Sequence, residues 1–188
     1  MLTRNELSAV LRGLRGLAHF EAAGFAQFDT TPSGFWKSFW AAALCLPVWA
    51  IDKWEQIHTL QPNEPVHFLA LHGLAYAVSW LAFPLLMVRV SRFLGRWPRY
   101  FTFMVAYNWF QVVQSVAWLP LLLLTLQGDA APRDMVAVLW LVLYAVLLAY
   151  GWFIARVGLK VETGTAIALV LIDVLLGMLI DGVTAMLA

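Results

Sequence analysis

The sequence predicts an all-α membrane protein, a bundle of five transmembrane helices preceded by an amphipathic N-terminal helix. Of its 188 residues, 62% are hydrophobic and 12% are charged, whereas soluble domains are about half apolar and a quarter charged. The apolar residues form five long stretches, each of a length that can cross a bilayer. Ten Trp residues add to this pattern, because Trp is enriched at membrane–water interfaces.

The chain divides into a cytoplasmic amphipathic or interfacial segment, 1–32, and a transmembrane domain, 33–188. In the first segment Leu7, Leu11 and Leu14 recur at helical spacing, with Arg12 and Arg15 largely on the opposite side. A basic amphipathic helix can lie among anionic lipid headgroups. It can also pack across the end of the bundle, and the pattern leaves both arrangements open.

The five transmembrane stretches lie near 34–51, 66–90, 101–126, 135–157 and 164–187. A hydrocarbon core of roughly 30 Å requires about twenty mostly apolar residues per helix. Thr31 and Pro32 form a helix start before the first stretch, and 127–132 form the third connector. The last connector is short, which predicts that the fourth and fifth helices are antiparallel neighbours.

The distribution of Lys and Arg predicts a cytoplasmic N-terminus and a C-terminus outside. Cationic residues concentrate on the cytoplasmic side of integral membrane proteins. Five spans place only Lys53 and Arg133 of the twelve Lys and Arg residues on the outer side.

A polar stripe runs along the third predicted span. Asn108, Gln111, Gln114 and Ser115 recur at steps of three or four residues on an otherwise apolar helix. Amide side chains of this kind form hydrogen bonds between membrane helices, worth roughly 0.6–2 kcal/mol each. The stripe therefore either holds helices together or lines a path for a substrate or ion.

Two carboxylates share one face of the last predicted span. A rise of about 1.5 Å per residue places Asp173 near the membrane midplane and Asp181 near the outer interface. A central carboxylate is costly in lipid and usually turns inward, so Asp173 is expected to meet Gln111 and Gln114. His72 of the second span lies at a depth where it can contact Asp181. Asp173 is either a structural hydrogen-bonded group or a site of proton or cation transport.

The chain carries no pattern typical of a catalytic, cofactor or metal site. No nucleophile elbow, zinc-protease pair, P-loop or dinucleotide fingerprint occurs. The single cysteine, Cys45, lies in an apolar stretch and is expected to be a buried small side chain. The protein is therefore not expected to be an enzyme, to need a cofactor or to bind nucleic acid.

Two local stretches resemble the Yip family of five-span integral membrane proteins, in its short bacterial form. Residues 28–36, Phe-Asp-Thr-Thr-Pro-Ser-Gly-Phe-Trp, lead into the first span, and residues 101–109, Phe-Thr-Phe-Met-Val-Ala-Tyr-Asn-Trp, open the third. The second is similar to an aromatic and tyrosine-rich stretch of that family. The resemblance covers residues 28–188 and implies five spans after a cytoplasmic N-terminal segment. Its short bacterial form implies a place in the bacterial cytoplasmic (inner) membrane. Eukaryotic members are associated with Rab GTPases and vesicle traffic, and the resemblance implies no catalytic residues.

Two functional hypotheses follow. In the first, the bundle organises membrane or partner proteins, with the lipid bilayer, protein partners or a second copy of the chain as its contacts. In the second, the protein is a small transporter or ion-translocating subunit that uses Asp173 and the polar face of the third helix.

Overall fold

The computed structural model describes residues 3–125 and 133–188. Within these ranges the chain is α-helical, with two short 3₁₀ segments, Ala22–Gln27 and Trp97–Arg99, and no strand. The helices are α1 (Arg4–Ala18), α2 (Pro32–Ser38), α3 (Trp40–Leu60), α4 (Pro65–Phe93), α5 (Tyr100–Thr125), α6 (Arg133–Leu159) and α7 (Thr163–Leu187).

The five predicted spans correspond to α3 through α7, and the all-α fold is confirmed. Among the described helices, four segments are long and apolar enough to cross a membrane: Pro32–Leu60, Pro65–Phe93, Asp134–Leu159 and Thr163–Leu187. Helix α5 has a comparable length of 26 residues and is not among these four segments. It packs against α3, α4 and α6, and therefore presents less surface to lipid than its neighbours.

Most predicted boundaries agree with the structure to within three residues, and the two ends of the first span are the exceptions. The prediction begins near Gly34, whereas the short α2 occupies Pro32–Ser38 and α3 begins at Trp40. The prediction stops near Ile51, whereas α3 continues to Leu60. Polar side chains within the added turns bond to one another, since Gln56 donates to Asp52 and Lys53 donates to Gln56, both at 2.9 Å. These bonds allow the helix to continue past the apolar stretch. The predicted end of the third span at residue 126 and the connector 127–132 lie outside the described residues.

The predicted helix start at Thr31 is confirmed. The Thr31 hydroxyl accepts a hydrogen bond from the backbone N–H of Gly34 at 3.1 Å and donates one to Asp29 at 2.6 Å. Pro32 occupies the first turn of α2, where a missing N–H costs nothing. A Cβ at Gly34 would lie 1.9 Å from the carbonyl oxygen of Asp29, so this turn requires glycine.

Helix α1 packs across one end of the bundle, which is the second of the two predicted arrangements. Val10 and Leu17 are buried there, and the Tyr150 hydroxyl of α6 donates a hydrogen bond to the carbonyl of Ala18. The following 3₁₀ segment is so close to α1 that a Cβ on Gly24 would lie 2.7 Å from the carbonyl oxygen of Gly13. We call the end covered by α1 and Ala22–Gln27 the capped end.

The buried core lies towards the capped end. There α5 contributes Phe103, Met104 and Val105, all at most 2% exposed, to a cluster that continues into α4 and α6. Helices α6 and α7 pack together, as the short last connector predicts. Beyond this core, away from the capped end, two cavities lie between the helices.

Candidate functional site

A cavity of about 480 Å³ lies between α4, α5 and α7, with single contributions from α3 and α6. Its lining contains Asn108, Gln111 and Gln114 of α5 and Asp173 and Asp181 of α7. The structure therefore brings together four polar residues proposed for the intramembrane site, along with the secondary candidate Asp181. We call this space the Asp173 cavity.

Asp173 is held by a tyrosine. The Tyr107 hydroxyl donates a hydrogen bond of 2.7 Å to Oδ1 of Asp173. The expected direct partners were Gln111 and Gln114, and that prediction is wrong. Tyr107 lies one turn before Gln111 on the same face of α5, and its longer side chain reaches across to α7. Gln111 in turn interacts with the Tyr107 hydroxyl.

The second oxygen of Asp173 has no hydrogen-bond donor within the part of the chain that the structure describes. Carboxylates at such depth usually pair with one another, with a cation or with several donors. Asp173 therefore retains capacity to bind a further donor or a positive charge from the cavity.

Asn108 joins α5 to the junction of α2 and α3. Its Nδ2 donates a 2.8 Å hydrogen bond to the Ser38 hydroxyl, which itself donates to the carbonyl of Phe35 at 2.6 Å. Asn108 is 1% exposed. Its Oδ1 is buried and has no hydrogen-bond partner among the described residues.

Aromatic rings form much of the remaining lining. Phe83 lies with its ring centroid 4.6 Å from that of Tyr107, on the Asp173 side. Trp118 and Tyr144 both contact Trp140, at centroid distances of 5.5 and 5.2 Å. Trp80 also lines the cavity. None of the described lining residues is Lys, Arg or His.

A second cavity of about 440 Å³ adjoins the first. The two share Cys45, Ser115 and Trp118 in their linings. The second one reaches Asp52 and Glu55 in the last turns of α3, away from the capped end. Of these carboxylates, Asp52 is paired with Lys53 at 3.0 Å.

The remaining site predictions have mixed outcomes. His72 does not line the Asp173 cavity: its Nδ1 lies 2.8 Å from the carbonyl oxygen of Phe68, on its own helix. The structure records no contact between His72 and Asp181 among the described residues. Asp181 is exposed, as expected for a carboxylate near an interface. Cys45 is buried and free, as predicted.

Sequence reasoning missed the aromatic half of the site. Tyr107 could have been found, because it precedes Gln111 by four residues and extends the polar stripe by one turn. No comparable pattern identifies Trp80, Trp118 or Tyr144. Aromatic residues occur in four of the five predicted spans, and only the helix rotations show which of them face the cavity.

No group of three His, Cys, Asp or Glu residues that could hold a metal ion occurs in residues 3–125 and 133–188. Comparison with known proteins adds no assignment: no family model matches the chain, and neither does any curated protein or solved structure.

Proposed function

We propose that the protein is a small transporter or ion-translocating subunit that binds a proton or a cationic solute at Asp173. The observation that carries the proposal is a carboxylate with a single hydrogen bond inside a cavity of about 480 Å³. On insertion scales, a carboxylate at the centre of a lipid-facing helix costs about 2.5–3.5 kcal/mol. A purely structural role would favour full satisfaction of both oxygens by the protein, and one oxygen is left free.

The shape of the interior supports access from the end opposite the capped end. The Asp173 cavity extends to Asp181, two turns further along α7 and exposed, and the adjoining cavity extends to Glu55. In the opposite direction the route meets buried core residues such as Phe103 and Met104. With the orientation predicted from Lys and Arg, the cavity is open to the outside and closed towards the cytoplasm. Translocation then requires a second state in which the capped end opens.

The test uses the purified full chain in proteoliposomes with an imposed gradient of protons or Na⁺, followed with ion-sensitive dyes. The wild-type protein should dissipate one of these gradients faster than empty liposomes. Asp173→Asn should remove most of that flux, because it removes the charge with little change in shape. Asp134→Asn is the matched control, since Asp134 is an exposed residue of α6 outside both cavities. Equal fluxes in the wild type and Asp173→Asn would contradict the proposal.

The alternative function, organisation of membrane or partner proteins, has one specific observation in its favour. Leu7 and Leu11 of α1 remain 42% and 59% exposed while the adjoining face of the helix, with Val10 and Leu17, is buried. An apolar strip of this kind on a basic helix can enter the headgroup region or a partner's groove. Replacing both residues by Ser should then lower the recovery of bound lipid or protein, and unchanged recovery would contradict this role.

A further inference from the structure

We propose that the ligand of the Asp173 cavity is an organic ammonium ion, recognised by aromatic rings together with the Asp173 carboxylate. This inference rests on the proposed function and narrows its substrate class from any cation to an amine or quaternary ammonium compound. It depends on three features of the cavity: its charge, its rings and its size.

The charged groups of the cavity favour a positively charged ligand. Asp173 and Asp181 contribute carboxylates, and the described lining holds no Lys, Arg or His to neutralise them. An anionic ligand would add like charge to these carboxylates and a neutral ligand would leave their charge uncompensated, whereas an ammonium ion offsets it.

The rings distinguish an organic cation from a metal ion. Trp80, Phe83, Tyr107, Trp118 and Tyr144 all line the cavity. Faces of such rings attract ammonium groups, most strongly where water is excluded, and aromatic cages are a general means of binding quaternary ammonium ions. Mg²⁺ or Ca²⁺ instead requires a shell of six or more oxygen ligands, which this wall of rings does not offer.

The size of the cavity agrees with this class of ligand. Sites for small organic molecules have volumes of roughly 300–1,000 Å³ and are mainly apolar, with a few placed polar groups. A cavity of about 480 Å³ is in that range and is far larger than a bare metal ion needs. The apolar rings then contact the organic part of the ligand while Asp173 neutralises its charge.

The decisive comparison uses benzyltrimethylammonium and its uncharged carbon analogue neopentylbenzene, which have nearly the same shape. Binding to the purified full-length protein in detergent is measured by calorimetry and by the ligand-induced rise in melting temperature, with NaCl at matched ionic strength as the blank. The ammonium compound should bind, and the neutral analogue should bind far more weakly.

Three variants test whether the ammonium compound binds in the Asp173 cavity. Asp173→Asn should weaken ammonium binding on the order of a hundredfold, as expected for two charges about 5 Å apart at an effective dielectric constant of about 20. Trp80→Leu should weaken it about five- to thirtyfold through the lost ring. Trp36→Leu is the control, since Trp36 is 68% exposed and lines none of the described cavities. A monodisperse elution profile for each variant excludes misfolding as the cause.

The outcomes separate this inference from the proposed function. Equal binding of the two compounds, or binding unaffected by both Asp173→Asn and Trp80→Leu, would overturn the ammonium assignment. If benzyltrimethylammonium fails to bind while the proton or Na⁺ flux still depends on Asp173, the proposed function stands and the organic ligand is wrong. If that flux is absent and the ammonium compound binds through Asp173 and Trp80, the ligand class stands and translocation of protons or Na⁺ is wrong.

Discussion

At the scale of single residues, two side-chain contacts of α5 differ in how fully the accepting side chain is hydrogen-bonded. Ser38 both accepts from Asn108 and donates to Phe35, so its hydroxyl is fully used. Asp173 has one donor, Tyr107. The first pair fastens α5 to the α2–α3 junction, and the second leaves binding capacity in the cavity. The same polar face of α5 therefore makes a structural contact and contributes to the proposed binding site.

The Ser38 contact predicts a specific loss of stability. Ser38→Ala should lower the free energy of unfolding by about 1–3 kcal/mol, because it leaves the buried Asn108 amide without its acceptor. Ser79→Ala is the control, since the exposed Ser79 hydroxyl also donates to a carbonyl three residues earlier, that of Tyr76. Unfolding in mixed micelles measures both variants. Similar losses for the two would show that the bond to Asn108 contributes nothing.

At the scale of secondary-structure elements, Glu6 of α1 has two roles: it caps the start of its own helix and it forms an ion pair with α2. Glu6 accepts a 2.7 Å hydrogen bond from the backbone N–H of Thr3 while the Thr3 hydroxyl accepts from the N–H of Glu6, a capping box that starts the helix. Its other oxygen, Oε1, pairs with Lys37 of α2 at 2.5 Å. The hydrogen bond from Lys37, followed by those from Thr3, lowers the pKa of Glu6 from 4.5 to about 2.

This lowered pKa predicts that α1 is released in acid. The folded protein favours the ionised form of Glu6 more than the unfolded protein does. The contribution of ionised Glu6 to stability is therefore complete above pH about 4.5 and is lost as the pH falls towards about 2. The protection of the α1 amides from hydrogen exchange, measured relative to their intrinsic exchange rate at each pH, should therefore decrease over that range.

Glu6→Gln should show fast exchange in α1 already at neutral pH and a weaker dependence on acid. Glu21→Gln, in the same segment but exposed, serves as the control and should follow the wild type. The same acid dependence in Glu6→Gln as in the wild type would exclude the Glu6–Lys37 pair as the attachment of α1.

At the scale of the whole molecule, the antiparallel bundle places the N-terminal segment and the C-terminus at opposite ends. The capped end holds α1 and the end of α6, as the contact of Tyr150 with Ala18 shows. At the other end His67, near the start of α4, lies with its Nε2 3.1 Å from the carbonyl oxygen of Leu187. This geometry agrees with an odd number of crossings, and the distribution of Lys and Arg then predicts the cytoplasmic side to be the capped end.

The orientation is tested by labelling with a membrane-impermeant thiol reagent. A cysteine added after Ala188 should react in intact cells, whereas a cysteine replacing Ser8 of α1 should react only after the cells are broken. The native Cys45 is 6% exposed and provides the background. Labelling of the C-terminal cysteine in broken cells alone would reverse the predicted orientation.

Much of the architecture could be predicted because length and hydrophobicity are properties of each stretch by itself. The spans, the cap at Thr31, the burial of Cys45 and the polar stripe of α5 all follow from local spacing. Tertiary structure decided which groups meet, because this depends on how each helix is rotated and on how far each side chain reaches. It placed Tyr107 rather than Gln111 or Gln114 against Asp173, moved His72 away from the site and added the aromatic wall. It also showed that α1 buries one face on the bundle, since an amphipathic pattern specifies an apolar face without specifying what covers it.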